Sequence, residues 1–244
     1  MRWHPKGTLL LVGTSKGFLY SVFCKAQATG AQEMHWTVYA HDDAITCGEW
    51  TDDGKHFVSA SADGALKFWA ARTGTLMQQI KGAVDARFHQ TGILSLAVTN
   101  GAQTVLTGGE EGSMRISNMQ TGQLLGALDG HTNSVESIAI CDALSLAISA
   151  STDGSVRVWD LKTQSVRSVL PHPAAITYAQ LDRTEQMPLT CTADATVHLW
   201  DIRAGTALQT WTGHTMPVHA CAMSHDRQII LSSGDDTTCL VWQK

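Results

Sequence analysis

Apolar and polar residues alternate along this chain in short runs, and the runs recur. Leu66 and Phe68 alternate with polar or small neighbours ahead of Trp69. Val156 and Val158 do so ahead of Trp159, and Val197 and Leu199 ahead of Trp200. A period of two puts alternate side chains on one face of a strand. One stretch holds a succession of such runs, VESIAI, LSLAISA, SVRVW and SVRSVL, each bounded by turn residues. Asp-Gly at 63–64 and 153–154 falls between the second and third runs and predicts a two-residue hairpin there. No segment sustains a helical period, so the chain reads as all-β.

The runs belong to a longer repeat. An aspartate follows a histidine by 22 positions and a tryptophan follows 6 further on, in His41, Asp63 and Trp69 and again in His131, Asp153 and Trp159. The same spacing holds for His172, Asp194 and Trp200 and for His214, Asp236 and Trp242. A degenerate copy keeps the spacing as His89, Glu111 and Ser117, and another has Lys16 and Val22 in the aspartate and tryptophan slots. Trp3 precedes Lys16 by 13 residues, as Trp50 precedes Asp63, so the first copy begins part-way through. Successive histidines lie 48, 42, 41 and 42 residues apart. That is the period of a four-stranded unit stacked on its like. Six units result, spanning approximately 1–40, 41–80, 81–130, 131–171, 172–213 and 214–244, the first and last incomplete.

The segments GHT…SVRVWDLKT, LWDIRAG and TGHTMPVHACAMSHDRQIILSSGDDTTCLVW carry a pattern that resembles the WD-repeat family over nearly the whole chain. The dipeptide itself stands at Trp159-Asp160 and Trp200-Asp201. The resemblance implies a β-propeller in which His, a strand Ser or Thr, Asp and Trp bond in series. The implied sets are His41, Ser61, Asp63, Trp69; His131, Ser151, Asp153, Trp159; His172, Thr192, Asp194, Trp200; and His214, Ser233, Asp236, Trp242. A lone His-Asp-Ser set would suggest a hydrolase triad. Four copies at fixed spacing read as structural fasteners, and the chain is expected to be no enzyme.

A narrower resemblance, from MRWHPKGTLLLVGTSKGFLYSV, the long connections, the degenerate third unit and SSGDDTTCLVW, is to the angio-associated migratory cell protein group, which includes a fungal chaperone of a large-subunit ribosomal protein. Members carry about two more blades before this point. The chain is therefore expected to be the C-terminal part of a seven- or eight-bladed propeller, with Met1 not the natural start. The group implies a non-enzymatic protein-binding scaffold, a chaperone or assembly factor for a basic ribosomal-protein segment in large-subunit biogenesis. A signalling or cell-migration scaffold, or a structural subunit of a larger complex, stays open.

Composition adds exclusions. A net charge of −5 gives no basic footprint for direct nucleic-acid binding. The six cysteines form no C-x-x-C pair and sit inside apolar runs, as buried thiols of a reducing compartment do. The N-terminus lacks the apolar core of a secretory signal, and no apolar run is long enough for a membrane helix. The chain is expected in the cytoplasm, with the nucleus also open, away from membranes. No motif for a cofactor occurs. His219 and Cys221 alternate on one strand and read as core packing, as do Trp3, Trp36, Trp50 and Trp211. Asp42, Asp43, Glu110, Glu111, Glu136 and Asp235 fall in or near the loops and turns that carry the repeat's histidine and aspartate. They would form a negative rim suited to a basic peptide.

Overall fold

The computed structural model describes residues 1–7, 9–24, 33–82, 84–99, 101, 103–182, 187–224 and 226–243. Its strands form six antiparallel sheets, each of strands consecutive in sequence. The second sheet comprises Ile45–Trp50, His56–Ser61, Ala65–Ala70 and Thr75–Lys81, and the fourth Val135–Cys141, Leu146–Ser151, Ser155–Asp160 and Ser165–Pro171. The last sheet has three strands, Val218–Met223, Ile229–Gly234 and Cys239–Gln243. Among the described residues, the helical structure is one 3-10 turn at Asp142–Leu144.

The chain divides into two compact units, Met1–Glu110 with Arg115–Gly126, and Glu111–Met114 with Ala127–Lys244. Within each, the core lies between successive sheets. In the second unit Ile148, Val156, Val158 and Leu170 of one sheet meet Ile176, Leu181 and Trp200 of the next. In the first, Val58, Leu66 and Phe68 meet Ile93, Leu96 and Val105. A strand packed on both faces loses its polar alternation, and Leu146–Ser151 is buried at every position. Each fully buried Leu, Ile or Phe side chain contributes about 1.5–3 kcal/mol. Fourth strands lie at the sheet edge: Thr75–Lys81 is exposed except near Ile80.

Two local features differ from the sequence expectation. The Asp-Gly hairpin has three residues, Ala62 to Gly64, between Ser61 and Ala65. The Gly64 amide donates to the Ser61 carbonyl at 3.2 Å, and the Asp63 carboxylate accepts the Ala65 amide at 2.8 Å. The aspartate thus closes the turn, and only Gly64 takes a positive φ, +71°. The fifth and sixth sheets place Ala195 (φ 70°) and Thr237 (φ 60°) at the equivalent position. Left-handed backbone at a β-branched residue is strained by about 1 kcal/mol or more. Thr237→Gly is accordingly expected to raise the unfolding free energy by about 1 kcal/mol in urea titration.

The second difference concerns the first strands. Four of them shift register just after their first residue, between Ile45 and Cys47, Val135 and Ser137, Ile176 and Tyr178, and Val218 and Ala220. Such a bulge breaks the period of two. His219 and Cys221 therefore part company: Cys221 is buried, while the His219 side chain is 55% exposed. Core packing holds for Cys221 only. Trp50 and Trp211 are buried and Trp36 is half-buried, but Trp3 is 58% exposed, contrary to its expected packing.

Candidate functional site

The repeated side chains meet at one end of the second, fourth and sixth sheets. In the fourth sheet, His131 Nδ1 lies 2.8 Å from Asp153 Oδ2, and Nε2 lies 2.7 Å from Ser149 Oγ. Trp159 Nε1–H donates to the same Ser149 oxygen at 2.8 Å. An ionised carboxylate only accepts, so Nδ1 carries the proton. Nε2 then accepts the serine hydroxyl, whose oxygen is left to accept the indole. Every buried polar atom in the series is satisfied. The second sheet repeats it with His41, Ser59, Asp63 and Trp69, and the sixth with His214, Ser232, Asp236 and Trp242.

The hydroxyl is not the one expected from sequence. Ser61 and Ser151 share a face with Ser59 and Ser149 but sit two residues nearer the turn, where each accepts an aspartate amide, Asp63 or Asp153. The imidazole reaches from Asp down the strand by the width of a ring. Its far nitrogen therefore meets the hydroxyl one two-residue step deeper. Ser233 is wrong by parity, since its neighbour Ser232 is the residue facing His214. Thr192 bonds Asp194 and Thr196, and Thr190 is the residue that meets His172.

The fifth sheet departs further. No His172–Asp194 bond forms; His172 Nδ1 turns to the Leu170 carbonyl at 3.0 Å. In the three closed series the carboxylate also accepts the amide after the histidine, from Asp42, Thr132 or Thr215. Residue 173 is proline and has no N–H to give. Asp194 instead takes the Thr192 and Thr196 hydroxyls. The His172 ring lies 4.6 Å from Trp200, against 6.3 Å for His131 and Trp159, and the buried Trp200 Nε1 has no hydrogen-bond partner. The His198 ring stands edge-on to His172 at 5.4 Å. In the third sheet His89 keeps its bond to Thr107 at 2.9 Å, but Ser117 replaces the indole and its hydroxyl is buried without a hydrogen-bond partner.

Burial drives His41, His131, His172 and His198 toward the neutral form. It pushes His41 and His172 down to about 4 and lowers His131 and His198. For Asp63 and Asp153 burial opposes ionisation. Hydrogen bonds outweigh it, chiefly the Asp42 and Ala65 amides for Asp63 and the Ser155 hydroxyl and His131 for Asp153, and both stay below the ordinary carboxylate range.

The acidic residues are tied locally. In the first unit Asp42, its side chain 73% exposed, pairs with Lys81 at 3.4 Å. Asp43 accepts the Ala44 amide at 2.7 Å, and Glu110 accepts that of Gly92 at 3.4 Å. In the second unit Glu111 holds Ser113, Glu136 accepts the Ser134 hydroxyl at 2.6 Å, and Asp235 pairs with His219 at 2.8 Å. Glu136 and His219 occupy bulge positions, and Thr46 and Thr177 fill the same place in other sheets. Those two hydroxyls reach the Ile93 and Val218 carbonyls of the following sheet. Sequence reading missed this bridging role, whose signal is a Thr one residue after the apolar start of the unit. Among the described residues no three His, Cys, Asp or Glu side chains gather as a metal site would require.

The family model described as WD domain, G-beta repeat, matches residues 32–70, 122–160 and 205–243. These three segments are WD repeats. The three matched segments hold the closed series at His41, His131 and His214, and the repeat interrupted by Pro173 is not matched. Angio-associated migratory cell protein of Homo sapiens is 27% identical to this WD-repeat chain over 256 residues, covering 97% of the chain and 56% of the relative. An uncharacterized WD repeat-containing protein of Schizosaccharomyces pombe is 29% identical over 213 residues, covering 84% and 53%. The chain thus spans little more than half the length of these relatives. Sqt1 of Chaetomium thermophilum, solved bound to the N-terminus of the ribosomal protein L10, superposes with a TM-score of 0.89 at 20% identity. The match covers 97% of this chain and 68% of Sqt1. At that identity the likeness is one of fold, the WD-repeat β-propeller.

Proposed function

We propose that this WD-repeat chain belongs to a non-enzymatic scaffold that receives a basic segment of a large-subunit ribosomal protein and shields it until assembly. The reading is carried by the likeness to Sqt1, which is solved with such a protein's N-terminus bound. The exposed carboxylates at the histidine and aspartate loops, Asp42 and Asp235 above all, supply charge of the right sign. Loops on a rigid frame are a usual place for recognition, and rim charges of this kind steer encounter and set specificity. The repeated His–Asp contacts are spent on the fold, which favours binding over catalysis. Nucleic acid and membrane have no part in this reading, and the cytoplasm, or the nucleus, is its setting.

The test is isothermal titration of the full-length protein with the N-terminal segment of the ribosomal protein L10 of the same organism. Binding is expected to weaken with added salt and by at least tenfold in Asp42→Lys. Affinity untouched by salt and by that charge reversal would remove the reading. Recovery of a receptor or cytoskeletal complex with tagged protein, and of no ribosomal protein, would favour the migration scaffold suggested by the human relative's name.

A further inference from the structure

The first unit has a cleft of about 620 Å3 at the end of its sheets away from the Asp63 turn. Leu9, Phe23 and His35 form its apolar side, and Lys55 and Arg72 stand at its rim. Phe23 meets the His35 ring edge-on at 4.9 Å. The wall beside them is fixed: Trp36 stacks on Phe57 at 5.4 Å, and its Nε1–H donates to the Ala71 carbonyl at 2.9 Å.

Two cations here are open to a ligand. Arg72 is exposed and makes no hydrogen bond or ion pair with the described residues. Lys55 is held only loosely, 4.0 Å from Asp53, with both side chains largely in solvent. The volume lies within the range of small-ligand and side-chain pockets. An aromatic floor and two cations fit a ligand that carries carboxylates on either side of a flat apolar group.

We infer that this cleft binds an acidic linear segment, whose aromatic side chain rests against Phe23 and Leu9 while its carboxylates reach Lys55 and Arg72. The charge preference is opposite to that of the Asp42 loop, so the surface is separate from the one proposed for a basic partner. The arginine fork favours a planar carboxylate.

Fluorescence anisotropy of the full chain with labelled Glu-Glu-Trp-Glu-Glu tests this, alongside the same peptide with glycine for tryptophan. The tryptophan peptide is expected to bind saturably and at least tenfold more tightly than the glycine peptide. Arg72→Glu, a change at an exposed side chain, is expected to weaken it at least tenfold. Lys162→Glu, three residues past Trp159 as Arg72 is past Trp69, is expected to leave it unchanged. Three results would overturn the inference: no saturable binding, equal affinity for the two peptides, or equal loss in the two variants. Equal affinity together with displacement by polyuridylate would mark a plain cationic surface that takes any polyanion.

Discussion

Replacing Trp159 by alanine is expected to lower the unfolding free energy by about 3–5 kcal/mol. The side chain is 1% exposed and its indole shares Ser149 with His131. Truncation opens a large cavity, and the serine oxygen loses its indole donor. Ser117→Ala is expected to change stability by less than about 0.5 kcal/mol or to raise it slightly, because the hydroxyl removed is buried and makes no hydrogen bond. Both occupy the tryptophan position of their repeat, so spacing alone would rank them equal. Urea unfolding followed by far-ultraviolet circular dichroism separates them. Equal losses would mean that neither the packing of the indole nor its hydrogen bond contributes to stability.

That contrast shows how far the sequence carries. The all-β class, the strand runs and the placement of His131, Asp153 and Trp159 follow from period and spacing, because backbone geometry enforces both. The choice of hydroxyl does not. Ser149 and Ser151 are both buried serines on one face of one strand, and only the reach of an imidazole from the aspartate selects the deeper one. The bulges hid more, since one inserted residue carries His219 out to Asp235 and leaves Cys221 in the core. The fifth repeat keeps its spacing and loses its bonding. Its signal was present in Pro173, which removes one amide, but it is visible only once the role of that amide in the other repeats is known.

Acid is expected to weaken the fifth repeat as its buried histidine takes up a proton, in the same window as His41 of the second. Burial holds His172 at about 4, and no aspartate bonds its ring. In the unfolded chain the same group titrates near 6.5. Its folded pKa is depressed, so the unfolded chain takes up the proton first. The stability contributed by the neutral ring is complete above pH 6.5 and is lost as pH falls toward 4. At about 1.4 kcal/mol per unit the loss approaches about 3 kcal/mol. His198, also lowered by burial, faces His172 and adds to the loss in the same window. Asp153 and Asp63 act later, since their carboxyls lie below the usual range and lose their contribution only below about pH 4. The stability gap between the natural chain and His172→Gln should therefore narrow by about 3 kcal/mol between pH 7 and pH 4. An NMR titration of the His172 ring gives the decisive reading: a midpoint near 4 sustains the argument, and one above 6 would show that the ring reaches solvent or a carboxylate.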